Sequence, residues 1–247
     1  SEMCIRDRDY NEWIYRFHNP KYDELVDKMM EATTKDEAIK YAKQAQWLLY
    51  DEQPVIPLYQ NTLLSAYRVD KWTGFVNAKG SGVPDFWTFV KVKPKDKPFG
   101  GTFRCSLPEA PDTLNVLSTD SAYSFMILNL IYESLVAINP YTWEDMPWLA
   151  DSWKVEVVDD AEWGKVMKVT FHLIDNATWQ DGTPITADDV VFSYWLFRYT
   201  DAPYIIADDH LINVTKVDDR TVIIYDFKPG YFEFHRINPV ILPMQVW

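Results

Sequence analysis

Thr170-Phe171-His172-Leu173, followed by Trp179-Gln180-Asp181-Gly182-Thr183-Pro184-Ile185-Thr186-Ala187-Asp188-Asp189-Val190, reads as strand, tight turn and capped helix. Met167, Val169, Phe171 and Leu173 alternate with Lys168, Thr170 and His172. That period of two predicts a half-buried strand over 165–173, with His172 on its polar face. Asp181-Gly182-Thr183-Pro184 is a strong turn signal. Thr186 with Asp189 three residues on has the spacing of a capping box, and it opens a helix carrying Val190, Val191, Tyr194 and Leu196. Residues 153–158 pair with 165–173 as a hairpin. A second hairpin, 211–216 with 221–227, turns across Val217-Asp218-Asp219-Arg220. Strands and helices interleaved in this way are those of an α/β class.

Working outward, Asn19-Pro20 supplies an N-cap and a first-turn proline for a helix whose stripe is Tyr22, Leu25, Val26, Met29 and Met30. Thr34 and Glu37 cap a second helix with Ala38, Tyr41, Ala42, Ala45, Leu48 and Leu49 on one side, and Pro54 stops it. Val55-Ile56-Pro57-Leu58-Tyr59 suits an edge strand because prolines interrupt it. Residues 63–69 read as extended, and Phe86-Trp87-Thr88-Phe89-Val90-Lys91-Val92 as a strand. Lys93-Pro94-Lys95-Asp96-Lys97-Pro98-Phe99, followed by Gly100-Gly101, breaks all periodicity. Residues 93–99 are therefore read as a linker between 9–92 and 100–247. Beyond it, 102–107 restarts as a strand containing Cys105. A long helix is expected over 121–138, with Asp120 or Ser121 as its cap. The first eight residues, 1–8, have no helical or strand period. They look like a translated sequencing-adapter peptide, and no role is expected of Cys4.

The chain has 247 residues, 47% hydrophobic and 16% aromatic, and a formal net charge of -13. A core of ample size is affordable. The acidic balance repels nucleic acid and anionic lipid, and no basic stripe opposes it, so no nucleic-acid partner is expected. The two cysteines, Cys4 and Cys105, and the four histidines show no metal-ligand spacing. No apolar run approaches the roughly 18 residues of a membrane span.

No GxSxG, CxxC, GxGxxG or GxxxxGK[ST] motif occurs. The paired acids Asp159-Asp160, Asp188-Asp189, Asp208-Asp209 and Asp218-Asp219 sit at turns or helix starts, where carboxylates satisfy free amides or face water. No catalytic residue, metal or cofactor is expected. A concave binding site needs aromatic faces and a few convergent polar groups. The best local candidate is Ser118-Thr119-Asp120-Ser121-Ala122-Tyr123, in which Asp120 can accept from an ammonium or a hydroxyl, or simply cap the helix. Asn61 and Trp72 are further ligand candidates. Trp143, Trp148, Trp153 and Trp179 are expected to pack the core.

Residues 100–247 look like the amino-terminal portion of the family 5 extracellular solute-binding proteins of peptide, nickel and oligosaccharide ABC importers. The residues that carry this are Gly100-Gly101-Thr102-Phe103-Arg104, Pro111-Asp112-Thr113-Leu114-Asn115, Ile131-Tyr132-Glu133-Ser134-Leu135, Leu149-Ala150-Asp151-Ser152-Trp153 and the stretch from Trp179 to Val190. Residues 239–247 resemble the segment that leads toward the family's hinge. Residues 19–92 resemble its carboxy-terminal portion, through Asn19-Pro20-Lys21-Tyr22-Asp23-Glu24-Leu25, the helix at Ala42-Lys43-Gln44-Ala45-Gln46, and Pro54-Val55-Ile56-Pro57-Leu58-Tyr59.

The order is reversed relative to the family, and the middle, with most of the second lobe, is absent. A fragment spanning two tandem modules and a circularly permuted lobe both fit. The resemblance implies a mixed-sheet lobe of a periplasmic-binding-protein-like (class II) fold, built jointly by 9–92 and 100–247. It implies non-catalytic capture of an oligopeptide or oligosaccharide as a monomer, delivery to an ABC permease in the complete protein, and an extracellular or periplasmic, membrane-anchored location. The aromatic content leans toward oligosaccharide. A ligand-sensing or interaction module without a transport role is the alternative.

Overall fold

The computed structural model describes residues 17–60, 62, 64–200 and 210–247. Residues 1–8, with Cys4, and Asn61 and Asp208-Asp209 lie outside the described residues. In chain order the elements are α1 (Pro20–Glu31), α2 (Lys35–Glu52), β1 (Trp72–Thr73), α3 (Phe86–Lys91), β2 (Lys93–Pro94), α4 (Ala122–Leu128), β3 (Val136–Ile138) and β4 (Asp145–Pro147). They continue with β5 (Ala150–Asp160), β6 (Gly164–Leu173), α5 (Ala187–Tyr199), β7 (Leu211–Asp218), β8 (Thr221–Asp226) and α6 (Tyr231–Arg236). Among the described residues no helix is long and apolar enough to cross a membrane.

The described residues divide into two compact units. The first takes in 17–60, 157–167 and 226–237. Its α1 starts as the sequence dictates, with the Asn19 side chain accepting from the Lys21 and Tyr22 amides at 3.0 and 3.3 Å. Thr34 Oγ1 accepts from the Glu37 N–H at the start of α2. The α2 helix ends at Glu52, and Gln53 adopts φ 46°, a left-handed C-cap whose N–H donates to the Leu49 carbonyl. Val26, Met29, Ala32 and Ala38 are buried between α1 and α2, and Tyr231 and Phe232 of α6 close the cluster. The Tyr231 N–H donates to the Ala32 carbonyl at 2.7 Å. Gly230 permits this approach, since a Cβ there would stand 2.7 Å from the Met30 carbonyl oxygen. Within α6, Arg236 Nε donates to Glu233 Oε2 at 2.5 Å, with both side chains buried.

The second unit takes in 62, 64–156, 168–200, 210–225 and 238–247. The four-stranded sheet, whose β5, β6 and β8 have residues in both units, has the order β5-β6-β8-β7, and in this unit β6 buries Val169, Phe171 and Leu173 while leaving His172 exposed. Asp189 Oδ2 accepts from the Thr186 N–H at 2.9 Å, and Asp189 Oδ1 accepts from the Met244 N–H at 3.0 Å. One buried carboxylate thus caps α5 and fastens the chain's last residues. Ser193 does similar work, accepting from the Leu242 N–H and donating to the Asp189 carbonyl. Val116, Leu128, Phe197 and Leu242 form the core beneath these ties.

Several expectations are corrected. Residues 86–91 are helix α3, not strand: the Asp85 side chain accepts from the Trp87 N–H at 3.1 Å and starts a turn that a short apolar run can follow as readily as a strand. The helix expected over 121–138 stops at Leu128. Beyond it the chain turns, and β3 pairs antiparallel with β4, Val136 opposite Pro147. Segments 55–59, 64–69 and 102–107 have no ladder partner among the described residues, and Cys105 is exposed outside any strand. Lys93-Pro94 of the expected linker pairs with Trp72-Thr73. Trp143 is 53% exposed rather than core, and at φ 61° it sits in the left-handed region.

Candidate functional site

The segment 111–124 is built by side chains binding their own backbone. Thr113 N–H donates to Asp112 Oδ1, Asn115 N–H to Thr113 Oγ1, and Leu117 N–H to Asn115 Oδ1, at 2.8, 3.1 and 2.9 Å. Ser118 N–H donates to the Asn115 carbonyl. These are local turns of the kind Asp, Asn and Thr favour, because their short side chains compete for nearby amides. Val116 and Leu117 fix the turn to the core shared with α4 and α5.

Thr119 is fully buried, and its hydroxyl donates to Asp112 Oδ1 at 2.6 Å. Ser124, on α4 and also fully buried, donates to the same oxygen at 2.5 Å. Thr119 Oγ1 in turn accepts from the Ser121 N–H at 3.1 Å. The Ser124 hydroxyl, then the Thr119 hydroxyl and the Thr113 amide, hold the Asp112 carboxyl below the usual carboxylate range.

Asp112 is itself exposed, and within 118–123 Ser118, Asp120 and Ala122 are exposed, with Ser121 and Tyr123 half-buried. Ser121 stands at the N-cap of α4, yet its side chain makes no capping bond. Neither it nor Asp120 does the capping expected from sequence. Trp72 lies elsewhere. Its ring meets Phe103 edge-on at 5.2 Å, and Phe103 also meets Phe75 and Phe89. Among the described residues no hydrogen bond or ring contact joins Trp72 to 118–123. Asn61 lies outside the described residues.

Sequence reasoning pointed to 118–123 and not to Asp112, whose carboxylate takes the Thr119 and Ser124 hydroxyls. Its side-chain partners Thr119 and Ser124 are seven and twelve residues away, beyond any local pattern. Its one visible signal was its place in Pro111-Asp112-Thr113-Leu114-Asn115.

Residues 145–246 match the family model for bacterial extracellular solute-binding proteins, family 5 Middle. The matched residues lie within 100–247, the stretch read above as resembling the amino-terminal portion of that family. A probable ABC transporter-binding protein of Deinococcus radiodurans is 29% identical over 176 residues, covering 66% of this chain and 28% of that protein. A probable peptide-binding protein of Agrobacterium fabrum is 33% identical over 135 residues, 53% of this chain and 20% of that one. A periplasmic alpha-galactoside-binding protein of Rhizobium meliloti is 50% identical over 52 residues, 21% of this chain and 6% of that one. The chain spans no more than 28% of the length of these relatives. The family 5 match takes in β5, β6, the α5 cap and the Met244 tie, so the elements that seat the loop at 118–123 lie within it or pack on it.

Proposed function

We propose that this chain is part of the binding component of an ABC importer and captures a small solute, an oligopeptide or an oligosaccharide, without chemical change. The observation that carries this reading is the family 5 match over residues 145–246. The relatives named for peptide and for alpha-galactoside binding set the range of solutes. The complete protein acts as a monomer outside the cytoplasm, anchored to the membrane, and presents its ligand to a permease.

Residues 9–92 and 100–247 form parts of the same lobe. In support, both compact units draw residues from each side of the 93–99 segment. Within the site, Asp120 is the ligand-facing acceptor, with Ser118, Ser121 and Tyr123 beside it, Thr119 beneath it, and Asn61 and Trp72 as more distant contacts. Asp120 is exposed, and hydrogen bonds at Thr119 and Ser121 hold the backbone on either side of it.

Titration calorimetry of the purified chain against trialanine and against raffinose tests the reading. Saturable one-to-one binding of either solute, recovered unchanged afterwards, is the expected result. Binding of neither at millimolar concentration, or conversion of a solute, would contradict it. Affinity in this chain alone is expected to be weak, because it spans no more than 28% of these relatives and the cleft of a complete protein takes walls from the rest.

A further inference from the structure

Resting on the reading of 118–123 as ligand-facing, we infer that Asp112 is a positioning residue, which sets where the Asp120 carboxylate stands without itself touching the ligand. A single oxygen, Oδ1, accepts from the Thr119 hydroxyl, the Ser124 hydroxyl and the Thr113 amide at 2.6, 2.5 and 2.8 Å. The two hydroxyl distances are those of charge-assisted bonds, which run about 2.5–2.7 Å and are roughly twice as strong as neutral ones.

The three donors come from three different pieces of chain: the turn at 113, the loop at 119 and helix α4 at 124. Thr119 then passes the constraint on. Its hydroxyl hydrogen goes to Asp112, and its oxygen accepts the Ser121 amide at 3.1 Å. The residue before Asp120 is therefore anchored through its side chain, and the residue after it through its backbone. Between two held neighbours the Asp120 backbone is fixed, and with it the direction in which its side chain leaves the chain.

Thr119 and Ser124 are fully buried while Asp112 is exposed, so without the carboxylate their hydroxyls lose their acceptor and must find water or another one. The loop then has two ways to recover: expose Thr119 to water, or swing its hydroxyl to another carbonyl. Either releases the Ser121 amide and moves Asp120. The arrangement requires an acceptor of several bonds at position 112. Asn keeps one acceptor oxygen and loses the charge, and Ala keeps neither.

The test combines hydrogen exchange at the Ser121 amide with calorimetry against trialanine and raffinose. It compares the unaltered chain, Asp112→Asn, Asp112→Ala, Asp120→Ala and the double variant Asp112→Ala with Asp120→Ala, with thermal unfolding followed for each. Asp112→Ala is expected to speed Ser121 exchange about tenfold or more and to weaken the bound probe by about tenfold, the equivalent of one lost hydrogen bond of about 1.4 kcal/mol. Asp112→Asn should fall between. The double variant should bind no more weakly than Asp120→Ala alone, because the two residues act through one carboxylate.

Unchanged exchange at Ser121 would overturn the inference, as would losses that simply add in the double variant. If the unaltered chain binds neither probe, the solute-binding reading fails on its own account. The exchange comparison then decides the positioning role, accelerated exchange supporting it and unchanged exchange refuting it.

Discussion

Gly230 is held glycine by contact rather than by dihedral angle. A Cβ there would lie 2.7 Å from the Met30 carbonyl, at the point where the Tyr231 amide reaches Ala32. Gly230→Ala should cost about 1–3 kcal/mol, read as a lowered denaturant midpoint with unchanged slope. Asp189, 5% exposed, satisfies two backbone amides far apart in sequence, at Thr186 and Met244. Asp189→Ala should cost about 2 kcal/mol or more, because it removes a cap and strands a second donor.

For pH, the Asp112 carboxyl titrates below its ordinary range in the folded chain, through the hydroxyls of Ser124 and Thr119 and the Thr113 amide. Its contribution is therefore fully present above the unfolded pKa and is lost as pH falls through the folded pKa. The acid limb of the stability profile should flatten in Asp112→Asn, and a limb identical to that of the unaltered chain would contradict this. Capping residues such as Asn19, Thr34 and Asp189 are legible in the sequence because their capping partners lie within three residues. Asp112 is not, because its chief partners are fixed only by the fold.

Among elements, β5, β6, β7, β8, α1, α2 and α5 can be read from the sequence, since each has a sustained period and a turn or cap at its end. The failures share a cause. The apolar spacing of Phe125, Leu128, Ile131, Tyr132 and Leu135 continues a helix on paper, but the ladder of β3 with β4 recruits Val136–Ile138 and breaks it. The run from Phe86 to Val92 is too short for period to distinguish strand from helix, and the Asp85 cap decides. Asp85→Ala should destabilise by about 1 kcal/mol, which chemical denaturation can resolve.

Segment 54–60 follows the opposite logic. It has no regular secondary structure, its backbone makes no hydrogen bond among the described residues, and Leu58 is 86% exposed. Pro57 removes a donor from the edge shared with Val55 and Tyr59, so only the edge of Ile56, Leu58 and Gln60 keeps its N–H groups. Leu58→Lys should change folding stability by no more than about 0.5 kcal/mol and should reduce concentration-dependent association in sedimentation.

At the scale of the whole molecule, the net charge of -13 argues against nucleic-acid partners, and the family resemblance supplies the positive reading of solute capture. Neither composition nor pattern discloses the division into two units that interleave distant stretches of chain. Contacts between residues so far apart leave no periodic trace. The central claim, capture of a solute at the loop around Asp120, is tested most directly by calorimetric titration of the chain and its Asp120→Ala variant with trialanine and raffinose. Saturable binding of one of them, weakened about tenfold or more by the substitution, is the predicted result. Equal binding by the two proteins, or no binding by either, would contradict the account.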